Sequence, residues 1–379
     1  MMSSFAKRQK EEKPMVSVIL PTYNEAGNIK ITISLLSEML NDERIKGEII
    51  VVDDDSPDGT ADIVRNLATE YDVRVHLRKD QRGLATAVLK GIELAKGEIC
   101  VVMDADLSHP VSKIPDMISP IIQGDCEAAV GCRWVPGGGC INWPLTRKIV
   151  SKGAGLLARG LTRLSDPTSG FMAVRNDVLD GIEFYPVGWK IVLEILVKTN
   201  CRFIEVPIMF SDRHEGESKL NLRVLIDYLR HLWKLYCFKY IKCFQFIKFC
   251  LVGISGFLID TLVLVSLVEL MYIDPRVAAI FGFLAAVSYN YILNRLWTFH
   301  LPSIAKPYYS YASFVLICLL GLMIRIGVMH LLIEYAGMGT DLWYVFASFL
   351  GIVAGTIFNF IGSKYVAFSE NLFRNERRL

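Results

Sequence analysis

The sequence predicts a doubly wound α/β domain followed by an all-α region of about four membrane spans, and three observations lead there. Short β-rich apolar runs alternate with helix-length segments from Met15 to about Arg133, the pattern of a parallel sheet covered on both faces. Acidic and polar residues gather where those runs end. After residue 245 the chain turns strongly apolar, in stretches long enough to cross a bilayer.

In chain order, MMSSFAKRQKEEKP (1–14) has charges with no apolar core behind them, so it reads as a disordered tail and not as a signal peptide. MVSVILP is the first strand, with a helix from about Asn28. GEIIVV is the second, with a helix from Ala61. VRVHL is the third, with a helix from Gly83 to Lys96. GEICVVM is the fourth, with a helix from Ile114 to Gln123, and EAAVGCR closes the series. In this architecture ligands bind beyond the carboxyl ends of the strands. At those ends stand Pro21 to Glu25, Asp53 to Thr60, and Asp104 to His109.

The most telling end is VVMDADLSHP (101–110), where an apolar run stops in two carboxylates spaced i and i+2. Strand geometry would turn Asp104 and Asp106 to one face. Two such carboxylates repel unless a cation lies between them, and hard oxygen ligands suit Mg²⁺ or Mn²⁺. An Asp-x-Asp alone is equally a solvated acidic loop. The Asp53 cluster also has two readings. Ser56 to Thr60 suits a turn and helix cap, whereas a carboxylate at Asp54, on the face of Val52, can accept the N–H groups of a nucleotide base. Glu25 is a second such carboxylate or a helix cap.

Beyond the sheet, NWPLTRKIVSKGAGLLARGLTRL reads as a helix with Arg147 and Ser151 four apart on one face, a phosphate cradle or a solvated basic face. DPTSGFMAVRN is a turn into a strand, Gly188-Trp189-Lys190 opens a helix, and CRFIEVPIMF is another strand. The polar loop SDRHEGESKLN carries Arg213, Gly216 and Lys219, as a mobile anion-closing loop or a linker.

Composition narrows the class. Of 379 residues 52% are hydrophobic and 21% charged, too apolar for an ordinary soluble chain of this size. A net charge of +2 without a basic, aromatic-interleaved stripe gives no sign of nucleic-acid binding. Nine cysteines without CxxC spacing read as thiols in a reducing compartment. No GxGxxG or Walker sequence is present, against dinucleotide and P-loop chemistry, and no QxxRW, against a processive polysaccharide synthase.

PTYNE, VVDDDSPDGT, MDADLSHP, GCRW, NWPLTRKIVSKGA, DPTSGF, GWK and RHEGESKL, in this order and spacing, resemble the dolichol-phosphate mannose synthase family. These are inverting family 2 glycosyltransferases of GT-A fold. The resemblance runs from Met15 to about Arg230 and implies transfer of mannose from GDP-mannose to a dolichyl (polyprenyl) phosphate. It implies nucleotide-sugar contacts at Pro21, Tyr23, Glu25, Val52, Asp54, Asp104, Ala105, Asp106, Ser108, Arg133, Lys190, Arg213 and Lys219, with Asp106, Arg213 and Lys219 nearest the chemistry. The metal, Mg²⁺ or Mn²⁺, would be held by Asp104, Asp106 and Ser108, where some relatives have Gln at the third position; a hydroxyl is a weaker ligand, so water or His109 would complete the shell. The acceptor phosphate would meet Arg147 and Ser151. Alternatives within this layout are a UDP-glucose-dependent polyprenyl-phosphate glucosyltransferase and a lipid-linked sugar transporter that only binds nucleotide sugar.

The expected divisions are a GT-A domain over 15–219, amphipathic interface helices over 220–243 and a GtrA-like membrane domain over 244–379. LNLRVLIDYLRHLWKLYCFKYIK has the basic and aromatic pattern of a helix lying in the bilayer interface; a soluble amphipathic helix packed on the domain is the competing reading of its first turns. Spans are expected at about 246–271, 276–299, 309–333 and 342–366. Lys239, Lys242, Lys248, Arg295, Lys306, Lys364, Arg374, Arg377 and Arg378 flank one side, which places both termini and the catalytic domain in the cytoplasm. The sequence carries no mark of oligomeric state. Asp260 and Arg325 lie inside spans at comparable depth, where a charge costs about 2.5–3.5 kcal/mol on insertion scales, and are expected to pair. Gly351 and Gly355, a GxxxG, are expected to mark close helix packing.

Overall fold

A computed structural model of the chain describes residues 15–141, 143–188, 190–211, 222–300, 307–337 and 343–369. The expected tail at 1–14, Trp189 and the loop with Arg213 and Lys219 lie outside the described residues. The chain divides into two compact units, Met1–Lys239 and Tyr240–Leu379.

The first unit is built on a seven-stranded sheet. Its strands are β1 (Val16–Thr22), β2 (Gly47–Asp53), β3 (Val73–Leu77), β4 (Ile99–Val102), β5 (Ala128–Cys132), β7 (Met172–Arg175) and β8 (Phe203–Pro207), in the order β3-β2-β1-β4-β7-β5-β8. The short strands β6 (Gly139–Cys140) and β9 (Met209–Phe210) pair apart from it. Between the strands run α1 (Ile29–Asp42), α2 (Thr60–Leu67), α3 (Leu84–Leu94), α4 (Ile114–Ile122), α5 (Leu145–Ala158) and α6 (Ile191–Thr199). Apolar side chains cover both faces, as continuous apolar strands require: Val18, Leu20 and Val51 pack with Ile29, Ile33 and Leu36 of α1, while Ile19, Val102 and Val130 pack with Val88 of α3 and Ile195 of α6.

Two expectations for the sheet and its strand ends change. The sheet is mixed and not purely parallel, because β7 enters antiparallel between β4 and β5. The i, i+2 strand geometry expected for Asp104 and Asp106 also fails, since β4 ends at Val102 and both carboxylates stand in the loop beyond it. That loop turns at Leu107, whose φ is 63°.

Helix α7 (Leu222–Lys239) belongs to this first unit. Its Tyr228, Leu232 and Leu235 pack with Ala158 and Leu161 at the end of α5 and Leu193 and Val197 of α6. Tyr228 Oη donates to Ala154 O (2.8 Å) and Tyr236 Oη to Leu157 O (2.9 Å). One face of the amphipathic helix is thus committed to the domain, while Leu225, Leu229 and Trp233 remain exposed.

The second unit consists of α8 (Ile241–Met271), α9 (Pro275–Leu293), α10 (Pro307–Tyr335) and α11 (Trp343–Gly362). Among the described residues these four helices are long and apolar enough to cross a membrane. They form two hairpins, α8 with α9 and α10 with α11, and each hairpin closes in a π-helical turn, Asn294–Thr298 and Ser363–Ala367. The hairpins repeat one another, which the pattern of spans alone does not reveal. YNYILNRLWTF (289–299) matches FNFIGSKYVAF (358–368). Gly256 of α8 faces the Asn290 carboxamide of α9, and Gly321 of α10 faces that of Asn359 on α11, each so closely that a Cβ would collide. The close approach expected at Gly351 and Gly355 is present, with added Cβ atoms 2.6 Å from Arg325 O and 2.7 Å from Gly321 O.

Asp260 and Arg325 form no ion pair with each other, against expectation. They stand at corresponding positions of the repeat, but on helices of different hairpins. Asp260 lies against Gly282 of its own hairpin and Arg325 against Gly351 of the other.

Candidate active site

The loops after β1 and β2 are tied together by carboxylates. Asp53, fully buried, accepts from Thr22 Oγ1 (2.8 Å), Ser56 N (2.9 Å) and Ser56 Oγ (2.6 Å). Asn24 N donates to Ser56 Oγ (3.0 Å) and Glu25 N to Thr60 Oγ1 (3.0 Å). Asp53 is therefore a structural clamp. Asp54 accepts from Arg78 Nε (2.7 Å) and Nη2 through Oδ1, and from Gly83 N (2.7 Å) through Oδ2. Gly83 has a φ of 149° that a side chain would resist, which lets its N–H turn to the carboxylate. A carboxylate offers about four lone-pair positions, so about one remains at Asp54 for a ligand N–H.

Around this crevice Tyr23 is partly exposed with the Arg82 guanidinium 5.1 Å from its ring centre. Glu25 accepts from Asn28 Nδ2 (3.0 Å). Pro21 and Val52 lie within β1 and β2 and are buried, Val52 packing with Ile50 and Ala87.

After β4 the chain builds an acidic loop. Asp106 is buried and accepts from Ser108 N (3.1 Å) and Ser108 Oγ. Ala105 O accepts from Thr32 Oγ1 of α1 (2.9 Å), which fastens the loop to the domain. Asp104 is the more open carboxylate, its side chain 27% exposed. Its backbone N–H donates to His109 Nδ1 (3.0 Å), which puts the imidazole proton on Nε2, 4.0 Å from Asp104 Oδ2. Burial pushes the His109 pKa below its usual value, against the opposing pull of Asp104 and Asp106. The ring stacks on Phe171 at 5.0 Å and meets Phe210 edge-on at 5.5 Å, so a neutral histidine braces the Asp104 backbone.

The set suits a divalent cation held by few protein ligands. Among the described residues no three His, Cys, Asp or Glu side chains converge on one point. An open Asp104, a buried Asp106 and the Ser108 hydroxyl fit an ion that keeps waters and takes substrate phosphate oxygens.

A second cluster centres on Asp166, which is fully buried. Arg133 grips it in a bidentate pair, Nε to Oδ2 at 2.6 Å and Nη2 to Oδ1 at 2.8 Å. Arg133 Nη2 also donates to Thr168 Oγ1 (2.8 Å), which lies 3.1 Å from Ser151 Oγ, and Trp134 Nε1 donates to Ser151 Oγ (3.3 Å). Lys190 Nζ donates to Thr168 O (2.8 Å). Burial would raise the Asp166 pKa, and the bonds from Arg133 outweigh it, holding the carboxyl below its usual range. Burial, reinforced by the neighbouring Arg133, pushes the Lys190 ammonium down to about 8. Two guanidiniums approach the Trp143 ring, Arg133 Cζ at 4.9 Å and Arg147 Cζ at 3.9 Å from its centre.

Gly170 joins the two clusters. A Cβ there would stand 3.6 Å from His109 Cε1 and 3.7 Å from Asp104 Oδ2, in ordinary contact. Asp104, Asp106, Arg133, Arg147, Ser151 and Lys190 thus belong to one neighbourhood beyond the strands. Asp166, Thr168 and Trp143 are not assigned from sequence, and His109, expected as an alternative to water in completing the metal shell, instead takes the Asp104 N–H on its Nδ1. DPTSGF and NWP were visible as motifs, but only the fold puts Asp166 under Arg133. Among strand-end residues, a buried arginine just after β5 is the signal that a carboxylate must be sought elsewhere in the chain.

The sequence profile of Glycosyl transferase family 2 matches residues 17–182, and that of the GtrA/DPMS transmembrane domain matches residues 248–368. The dolichol-phosphate mannosyltransferase of Pyrococcus furiosus is 36% identical over 359 residues, 93% of this chain and 99% of that protein. The chain belongs to the dolichol-phosphate mannosyltransferase family. The dolichol-phosphate mannosyltransferase of Saccharomyces cerevisiae is 41% identical over 236 residues, 59% of this chain and 88% of that protein. Among solved structures, glucosyl-3-phosphoglycerate synthase from Mycobacterium tuberculosis is similar at 20% identity over 60% of this chain and 80% of that one, with a TM-score of 0.45. In family terms the first unit is the GT-A glycosyltransferase domain and the second a multi-pass membrane domain.

Proposed function

We propose that this family member transfers mannose from GDP-mannose to dolichyl phosphate with inversion, giving dolichyl β-D-mannosyl phosphate. The observation that carries the reading is the family match along nearly the whole chain, membrane unit included. The clustering of Asp104, Asp106, Arg133 and Lys190 beyond the strands supports it chemically. A phosphate oxygen of the acceptor is already anionic near neutral pH, so attack on the sugar C1 needs no strong general base. The remaining work is positioning and neutralising the leaving diphosphate.

Asp104, Asp106 and Ser108 would hold Mg²⁺ or Mn²⁺, which supplies positive charge against the diphosphate. Lys190, with Arg213 and Lys219 from the loop that follows β9, adds cations to the same group. Pro21, Tyr23, Glu25, Val52, Asp54 and Ala105 line the nucleotide end, with the last acceptor position of Asp54 turned to a base N–H. Arg147 and Ser151 receive the acceptor phosphate, and Arg133, neutralised by Asp166, fixes Thr168 and through it Ser151. The catalytic domain and both termini face the cytoplasm, and α7 lays its exposed side in the bilayer interface.

GDP with Mn²⁺ is expected to raise the melting temperature of the purified full chain more than UDP with Mn²⁺, and EDTA to abolish the difference. A larger shift with UDP would contradict the assignment of the donor.

Lys190 adds a pH dependence. Its folded pKa near 8 lies below the usual value of about 10.4. The charged form is what burial penalises, so the penalty is full below pH 8 and fades as pH rises from about 8 to about 10.4. A Lys190 that neutralises diphosphate loses that ability over the same rise. Transfer should therefore fall, with rising KM for the nucleotide sugar, as pH passes through about 8, and Lys190→Arg should flatten that limb. Identical profiles for the two proteins would exclude the role.

A further inference from the structure

The membrane unit carries two opposite charges at matching places of its repeat. Asp260 stands four residues after Gly256 on α8, and Arg325 four residues after Gly321 on α10. From the far end of its helix each is about 15–17 Å away at 1.5 Å per residue, well inside the apolar stretch. Arg325 is exposed on the surface of the chain and Asp260 half-exposed, and neither has a hydrogen bond or ion pair among the described residues. Both stand inside candidate membrane spans, and a lone charge in hydrocarbon is costly.

We propose that a second copy of this chain supplies the missing partners, Asp260 of each copy pairing with Arg325 of the other inside the bilayer. Charge complementarity and the repeat commit the surface to this occupant. A two-fold dimer is self-complementary, so a contact of residue i with residue j also brings j to i. The two hairpins run in the same direction and match in register, so the first hairpin of one copy can face the second of its partner at equal depth, twice. Both charges are satisfied at once, which one copy alone does not achieve because its hairpins hold them on separate helix pairs. The inference rests on the membrane unit and is independent of the reaction proposed above.

The test uses the full chain in lipid nanodiscs and two tags. Asp260→Arg and Arg325→Asp, each alone, put like charges opposite each other and should weaken self-association at least about tenfold. Co-expressed, the two variants complement one another. One copy then carries arginine at both positions and the other aspartate at both, so each of the two contacts again joins opposite charges, and the copies should co-purify as a heterodimer at the wild-type level. Because these variants can fail to insert, Asp260→Cys and Arg325→Cys copies, with Cys243, Cys250 and Cys318 replaced by Ser, are also mixed and treated with a bismaleimide that spans the length of an arginine–aspartate pair, and a cross-linked band of twice the chain mass should form only in the mixture. A wild-type monomer overturns the proposal, as does loss of association that co-expression does not restore, the result expected if Arg325 reaches lipid phosphate instead. Absence of the mixed cross-link in a co-purifying pair overturns it too.

Discussion

Replacing Asp104 or Asp106 by Asn is expected to reduce mannosyl transfer about a hundred- to a thousandfold, the loss typical when a charge-stabilising group at a reacting centre is removed. The two changes act differently. Asp104 is partly open and its carboxylate makes few bonds within the protein, so Asp104→Asn should leave the melting temperature near wild type while kcat/KM collapses. Asp106 is buried and orders Ser108 through its backbone and hydroxyl, so Asp106→Asn should also loosen the loop. Rates at several Mn²⁺ concentrations separate the effects, since weakened metal binding is partly overcome by excess metal and a lost reacting geometry is not. Transfer within about tenfold of wild type for both variants would remove the acidic loop from the mechanism. It would also favour a domain that only binds nucleotide sugar.

Asp166→Ala should have the largest effect on stability in the catalytic domain. It strands the Arg133 guanidinium, which is 7% exposed and closed in by aromatic rings, without its carboxylate. Breaking a buried pair by removing one partner costs about 3–5 kcal/mol, a fall of roughly 10 °C in melting temperature for a domain of this size. Replacing both partners, Arg133→Met with Asp166→Leu, should recover much of the stability because no charge is left unpaired. It should not recover transfer, because Thr168 and Ser151 lose their anchor. A melting temperature unchanged in Asp166→Ala would show that the pair is not buried as described. A double variant with normal KM for polyprenyl phosphate would separate the cluster from the acceptor.

The elements that sequence made legible are those set by local pattern. Apolar runs such as GEIIVV and GEICVVM announce buried strands because burial on both faces removes the alternation of a half-exposed strand. The spans are legible because length and hydropathy alone decide them. Long-range pairing was harder. MAVR reads as a strand, but nothing local tells that β7 runs antiparallel between β4 and β5. Asp104 and Asp106 are legible by their chemistry, while the strand geometry expected for them does not hold, since the chain leaves the sheet at Val102. Asp54 is legible as a strand-end carboxylate, but its bonds to Arg78 and Gly83 belong to tertiary structure. Depth in the bilayer placed Asp260 and Arg325 level with each other, and only helix pairing shows that they sit in different hairpins. The repeat behind that pairing was written in residues 289–299 and 358–368, veiled by changes such as Trp297 to Val366 that keep the apolar pattern while altering the letters.

What matters most is which sugar reaches which lipid. The direct measurement incubates the purified full chain with Mn²⁺, a dolichyl phosphate and radiolabelled GDP-mannose, in parallel with labelled UDP-glucose, and counts the label extracted into organic solvent. Extractable label from GDP-mannose, absent with UDP-glucose and lost in Asp104→Asn, is the predicted result. Extractable label from UDP-glucose alone, or none from either donor while GDP-mannose remains bound, would contradict it.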